Sequence, residues 1–173
     1  MVRSNLKRSL FPLLFAAVAH AQYAPSSLGV GPQATAVIGD TPMLGVDLEY
    51  SRYLESGFVF FADVPILIAS TAVGADTPTG AGRVFATGGR MGVRYLFAEG
   101  MVRPWVGLQL AGLVLVTKPE VTWYLGAGTS AGLDWVLSES FSLGARLVYD
   151  VFVDLNRPWR HQLGGSINVS VLF

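Results

Sequence analysis

The sequence has 173 residues, of which 51% are hydrophobic and only 14% are charged, and it contains 20 glycines and no cysteine. A soluble domain carries about 25% charged residues, so this chain is poor in charge, and its hydrophobicity excludes intrinsic disorder. The lack of cysteine excludes a disulfide scaffold and a cysteine metal site. Because 12 basic residues balance 12 acidic ones, with no basic cluster after the first eight residues, the sequence predicts no nucleic-acid partner.

The N-terminal segment has the three parts of a secretory signal peptide. Arg3, Lys7 and Arg8 supply the positive charge, and a short apolar run follows that is too short to span a bilayer. The next tripeptide is Ala-His-Ala and ends at Ala21, which matches the small-x-small cleavage pattern. We therefore predict a signal peptide over residues 1–21, with an uncleaved N-terminal anchor as the alternative.

Eight segments of the remaining chain alternate in hydrophobicity with the two-residue period of a β-strand. In the last segment Ile167, Val169 and Val171 share one face, and the residues between them are serine or asparagine. The predicted strands are 28–38, 44–51, 58–68, 85–97, 102–111, 124–137, 141–152 and 163–173.

Two apolar stretches, 58–73 and 106–116, admit an alternative as membrane helices. Neither is a clean run of the about 20 apolar residues that a spanning helix needs, so the strand interpretation is preferred. The joins between predicted strands alternate between tight turns and longer loops, except for a compact first join. Three prolines, Pro32, Pro65 and Pro104, are expected near strand ends or bulges because each lacks a backbone donor.

One strand face carries five acids and four arginines among small residues, mainly glycine. These predicted barrel-interior charges are Asp47, Glu49, Asp63, Arg90, Arg94, Arg103, Asp134, Arg146 and Asp150. Facing lipid, an arginine would cost about 2–4 kcal/mol at the bilayer midplane, whereas an eight-stranded lumen is just wide enough to be filled by side chains. The sequence therefore predicts an all-β fold, a closed eight-stranded antiparallel up-and-down transmembrane barrel over residues 22–173, with charges inside and apolar residues outside.

Aromatic residues of the apolar face cluster beside the short turns and the C-terminus, as an interfacial girdle does. These are Tyr50, Phe58, Tyr95, Phe97, Trp135, Phe141 and Phe173. A second girdle at the loop end is predicted from Phe85, Trp123, Tyr149 and Trp159. Scattered core aromatics of a soluble β-sandwich would not cluster at one end.

With a signal peptide, eight amphipathic strands and a terminal phenylalanine, the sequence resembles the small bacterial outer-membrane β-barrel proteins of the OmpA/OmpX type. The resemblance implies a Gram-negative outer membrane, turns in the periplasm, loops outside and no periplasmic domain after the barrel. It also implies that Ile167, Val169, Val171 and Phe173 form the signal read by the barrel assembly machinery. The partners it implies are outer-membrane lipid and lipopolysaccharide, with the barrel itself a monomer.

The predicted function is a structural, envelope-integrity or surface-interaction role rather than catalysis. Some outer-membrane barrels modify lipids, and His161 has Asp154 and Ser166 as its nearest acid and hydroxyl in sequence. No nucleophile–base signature, metal cluster or cofactor motif accompanies them, so we expect no cofactor and no metal. The alternatives are a narrow or gated porin-like pore and, second, a lipid-modifying enzyme.

Two segments at the loop end are candidates for surface contacts. The polar stretch 70–82 is a candidate contact loop or a tolerated insertion. Arg157, Trp159 and Arg160 combine two cations with an indole, which suits lipopolysaccharide phosphates because arginine binds phosphate in a bidentate manner. A girdle tryptophan flanked by snorkelling arginines is the alternative.

Overall fold

The computed structural model describes residues 26–37, 42–54, 56–70, 83–117, 120–154 and 157–173. Within these ranges the chain forms eight strands, which are β1 Ser26–Val37, β2 Met43–Tyr53, β3 Phe58–Ser70, β4 Arg83–Leu96, β5 Val102–Thr117, β6 Glu120–Ser138, β7 Phe141–Asp154 and β8 Arg157–Leu172. The predicted signal peptide lies outside the described residues, as does nearly all of the candidate contact loop. No helix long and apolar enough to cross a membrane occurs in the described part of the chain.

The strands form one closed barrel in which each strand pairs with its neighbours in sequence and β1 also pairs with β8. The closing ladder is antiparallel and runs from Ser27 opposite Leu172 to Val37 opposite Gln162. Closure matters because hydrocarbon cannot satisfy the peptide groups of a free sheet edge. The predicted fold class, an eight-stranded antiparallel up-and-down barrel, is confirmed.

Three strands extend further at the loop end than the sequence predicted. β5 ends at Thr117 and β6 begins at Glu120, and β8 begins at Arg157. The expected long joins 116–121 and 153–160 therefore shrink to two residues between paired strands. The alternation is hidden there because both faces are apolar, as with the inward and outward side chains of segment 113–116.

Two of the three prolines lie inside strands rather than at their ends, so that expectation was wrong. Pro32 is in the middle of β1, and the β1–β8 ladder is interrupted beside it. Pro65 lies within β3, where the β3–β4 ladder is interrupted in the same way. The missing N–H of proline is tolerated where one neighbouring ladder already skips a bond. Pro104 lies near the start of β5, as expected.

The outer wall of the barrel is a continuous apolar belt. Leu125 is 76% exposed and Leu147 is 65% exposed, whereas a soluble domain buries most of its large apolar side chains. Trp135 at the turn end and Trp123 at the loop end both face outward on β6. Their separation of 12 positions corresponds to about 30 Å along the axis of a barrel with tilted strands, close to the about 25 Å apolar band of an outer-membrane barrel.

The lumen wall contains glycines where neighbouring backbones approach too closely for a side chain. A Cβ added at Gly45 would overlap the carbonyl oxygen of Ile66, and one added at Gly31 would overlap the carbonyl oxygen of Ile167. These positions let the strands coil tightly enough to close a barrel of only eight strands.

Gly45→Ala is expected to lower the free energy of unfolding by about 1–3 kcal/mol, because the added methyl group displaces β3 backbone. Gly112→Ala is the matched control, since its Cβ would meet no atom closer than 3.8 Å. Urea denaturation of both variants, folded in lipid vesicles, measures the difference. Equal midpoints would contradict this account of the closely packed wall.

Candidate functional site

The interior of the barrel holds a compact set of charged side chains at mid-height. Inward positions of β2, β3, β4 and β7 contribute four carboxylates and three guanidinium groups. These residues, each no more than 9% exposed, are Asp47, Glu49, Asp63, Arg90, Arg94, Arg146 and Asp150. The two-residue period of a strand brings them to one face, and closure of the sheet turns that face into the lumen.

Arg146 is the hub of this charge network. Its Nη1 donates to Glu49 Oε2 at 2.8 Å and to Asp63 Oδ2 at 2.7 Å. Its Nη2 donates to Asp47 Oδ2. One planar guanidinium thus binds three carboxylates from two neighbouring strands across the lumen, a geometry that the fork of arginine donors permits.

Arg90 extends the network toward the loop end. Its Nε donates to Asp150 Oδ2 at 2.8 Å and its Nη1 to Asp63 Oδ1 at 3.2 Å. Gln109 Nε2 donates to the second oxygen of Asp150 at 2.6 Å. Asp63 therefore bridges Arg90 and Arg146, and the network is continuous across the lumen.

Arg94 extends the network toward the turn end. It donates to Glu49 through Nη2, and its Nη1 lies 4.0 Å from Asp134 Oδ2. Its guanidinium also lies over the rings of Phe61 and Trp105, with 4.9 Å and 4.5 Å to the ring centroids. Cation–π contact adds to the ion pairs in holding the group in place.

Arg103 and Asp134 lie below this network, opposite each other on β5 and β6. Arg103 Nε donates to the carbonyl oxygen of Gly100 at 3.1 Å. Together with Glu49 and Arg94 they line a polar cavity of about 60 Å³ at the turn end of the lumen. This cavity holds at most a few water molecules.

Three of the interior carboxylates lie close enough together to suggest a cation site. Single oxygen atoms of Asp47, Glu49 and Asp63 lie within 4.8 Å of one another. Arg146 binds all three of these side chains, so a guanidinium already supplies the positive charge that a metal ion would bring. Among the described residues, this cluster is an ion-pair site rather than a metal centre.

Apolar layers, which were not predicted from the sequence, close the lumen above and below the charged layer. At the loop end the buried apolar side chains pack as one cluster, which we call the loop-end plug: Met43, Leu67, Ala86, Ala111, Leu113, Tyr124 and Phe152. At the turn end Val59, Leu96 and Trp105 pack together. The sequence does contain a signal for these layers, because Leu67 lies on the same face of its strand as Asp63, and Phe152 on the same face as Asp150.

The candidate lipopolysaccharide contact is divided between two faces of β8. Trp159 faces outward and is 66% exposed. Arg160 lies on the lumen side of the strand, with its guanidinium 5.3 Å from the ring centroid of Tyr124. Arg157 begins β8, and its side chain lies outside the described part of the structure.

His161 and Ser166 lie on opposite faces of β8. His161 contacts Tyr149 on the outer wall, whereas Ser166 is buried in the lumen. The pair cannot serve as base and nucleophile, because the sheet separates them. The side chain of Asp154, the acid nearest His161 in sequence, lies outside the described part of the structure.

The residues assigned to the assembly signal lie in a row on the outer wall of β8 and just beyond its end. They are Ile167, Val169, Val171 and Phe173, all exposed. On their lumen side the same strand carries Ser166, Asn168 and Ser170, so the predicted alternation holds over residues 163–173.

Arg146→Gln is expected to lower the free energy of unfolding by about 3–5 kcal/mol, since it leaves buried carboxylates without their shared partner. Arg52→Gln, at an exposed position near the turn end of β2, is the control and should change stability by less than about 0.5 kcal/mol. Denaturant titration in lipid vesicles measures both. Adding Asp47→Asn to Arg146→Gln should recover part of the lost stability. Equal free energies of unfolding for Arg146→Gln and Arg52→Gln would contradict the role of Arg146 as the hub.

No protein-family model matches this sequence, and no curated protein sequence matches it significantly. Among solved structures, the outer membrane protein OprG of Pseudomonas aeruginosa is similar, with a TM-score of 0.64 at 9% identity, covering 88% of this chain and 98% of that one. Neisserial surface protein A gives a TM-score of 0.61 at 14% identity, covering 86% and 96%. Ail, the attachment invasion locus protein of Yersinia pestis, gives 0.54 at 12% identity, covering 88% and 100%.

A further structure of Ail contains the heparin analogue sucrose octasulfate. At these identities the likeness is one of fold, and all three proteins are small eight-stranded outer-membrane barrels. This chain has the same closed eight-stranded architecture, and its own outer belt is apolar while its lumen is charged. The chain therefore has the fold of the small eight-stranded outer-membrane β-barrel proteins of the OmpA/OmpX type.

Proposed function

We propose that this protein is a closed, non-conducting barrel that supports the outer membrane and offers its loop end to surface partners. The observation that carries the proposal is the three-layered filling of the lumen. The Arg146 network occupies the middle, and apolar side chains pack above and below it. A barrel filled in this way is a rigid membrane scaffold, so its interactions take place at its rim and outer wall.

The filled lumen also argues against the alternative of a narrow or gated pore. An ion would have to displace the loop-end plug, since apolar constrictions exclude water and ions. It would then have to pass Arg146 and Arg90, which are each held by two or more acidic side chains. Each barrier is large, and the two lie in series along the axis.

An enzymatic role has less support than the scaffold role. Catalysis on a lipid needs a nucleophile and a base within hydrogen-bond reach of each other. In the described part of the chain, the hydroxyl of Ser166 faces the lumen, whereas the imidazole of His161 faces the lipid side of the wall. The interior carboxylates are held by arginines, which leaves no free pair of acids for general acid–base chemistry.

At the loop end we propose contact with lipopolysaccharide through Arg157, Trp159 and Arg160. The indole of Trp159 faces outward while Arg160 lies on the lumen side of the same strand. A glycolipid headgroup that reaches over the rim would therefore contact the ring at the interface and pair its phosphates with guanidinium groups. The sulfated ligand in the structure of Ail is a polyanion on a barrel of the same fold. The proposal also includes cleavage after Ala21, a monomeric barrel and recognition of β8 by the assembly machinery.

In planar lipid bilayers, the purified protein is expected to show no steady conductance. Arg146→Ala/Phe152→Ala removes the hub and one side chain of the loop-end plug, and this variant should conduct if it folds. Folding is checked by the mobility difference between boiled and unboiled samples on a denaturing gel. Ohmic conductance of the unmodified barrel would overturn the scaffold proposal in favour of the pore.

Arg157→Ala/Arg160→Ala is expected to weaken binding to lipopolysaccharide by about tenfold, the loss of one charge-assisted hydrogen bond or more. Arg52→Ala, at the turn end of the barrel, is the control for a change of charge alone. Titration of lipopolysaccharide into protein held in detergent micelles measures the affinity. Unchanged binding by the double variant would remove the rim from the proposed function.

A further inference from the structure

A polar pair lies on the outer wall of the barrel, where its surroundings are apolar. Tyr149 on β7 and His161 on β8 both face outward, and the tyrosine hydroxyl lies 2.7 Å from His161 Nδ1. Their rings are stacked, with centroids 6.0 Å apart and an interplanar angle of 28°. Their neighbours across the β7–β8 ladder are Leu163 and Val151. The pair therefore places two polar side chains within the apolar outer belt.

The hydrogen-bond inventory of the pair does not balance by itself. A neutral imidazole has one N–H and a phenol has one O–H, so the pair has two donors. Whichever tautomer is present, one donor is used between the rings and one is left over. Within the described residues, neither side chain makes any other hydrogen bond. In an apolar solvent an unsatisfied donor is unfavourable, so the pair needs an acceptor from its surroundings.

The depth of the pair in the membrane indicates which acceptor is at hand. Tyr149 lies eight residues along β7 from Phe141 of the turn-end girdle, and His161 lies 12 residues along β8 from Phe173. For strands tilted by about 40° these separations correspond to heights of about 20 Å and about 30 Å. The pair thus lies at the loop-end boundary of an apolar band about 25 Å tall. Acyl chains are joined to lipid headgroups by ester linkages at this level.

A shallow apolar furrow of about 550 Å³ leads away from the pair across the outer wall. Tyr149 lines its loop end, and Phe58 and Tyr95 line its turn end, with 5.2 Å between the centroids of these two rings. The floor is formed by Thr129, which lies opposite Tyr149, and by Ala131. Because small residues on the floor lie between larger side chains, the furrow extends along the outer wall over at least the thickness of one leaflet.

We propose that this furrow is a lipid-binding site that holds one acyl chain of an ester-linked membrane lipid. The chain lies along Ala131 and Leu108, and its ester carbonyl oxygen accepts the donor that the Tyr149–His161 pair leaves over. The site differs from the rim contact proposed above, and it depends on the membrane position of the barrel but not on the closed lumen.

The experiment is a competition between two lipids that differ only in the proposed acceptor. The protein is placed in nanodiscs of equimolar diester and diether phosphatidylethanolamine with identical chains, transferred to detergent, and the retained lipids are counted by native mass spectrometry. The diester lipid is expected to be retained about three- to tenfold more, the range of one hydrogen bond. Equal retention of the two lipids would overturn the proposal.

Matched variants separate the hydrogen bond from the furrow. The double variant Tyr149→Phe/His161→Leu removes both donors and should abolish the preference for the diester lipid, since either single variant would leave one donor for the ester. Tyr50→Phe, on the outer wall at the other end of the barrel, should keep the preference. Ala131→Leu fills the floor and should reduce retention of both lipids, whereas Ala62→Leu on β3 should not. If Ala131→Leu misfolds by the gel-mobility test, the double variant of the pair decides. Conductance should not change in any of them, so a failed lipid site leaves the scaffold proposal standing.

Discussion

Hydrocarbon offers no hydrogen-bond partner to a peptide group, and the rest of this structure follows from that constraint. The chain satisfies it by pairing β1 with β8, so that no strand keeps a free edge. A barrel of eight strands has a narrow lumen, and every inward side chain must pack against those from the opposite wall. The glycines that let the wall close, such as Gly31 and Gly45, are as necessary to this solution as the apolar belt.

The narrow lumen in turn determines what the charges can do. Buried ions are tolerated only when they are paired and hydrogen-bonded, and Arg146 achieves this by binding three carboxylates at once. The apolar layers above and below limit access of water and strengthen each ion pair, because the local dielectric constant is low. The same arrangement is the basis for the proposal that the barrel does not conduct ions.

With the lumen filled by side chains, the proposed function depends on the surfaces that face other molecules. The rim of β8 presents Trp159 outward, and the outer wall carries the Tyr149–His161 pair at the edge of the apolar band. A histidine at such a position is informative because its neighbours satisfy only part of its hydrogen-bonding capacity. The two sites proposed for the barrel differ in chemistry, since one would bind phosphate groups and the other an acyl ester.

The sequence by itself determined the number of strands, the inward placement of residues such as Asp63 and Arg146, and the aromatic girdles, because a two-residue period assigns each side chain to a face. It did not reveal the full length of β5 and β6, since both faces of segment 113–116 are apolar and the period disappears there. It also could not reveal which arginine meets which acid. Arg146 and Asp47 are 99 residues apart, and only closure of the barrel and the stagger of its strands bring them to the same height in the lumen.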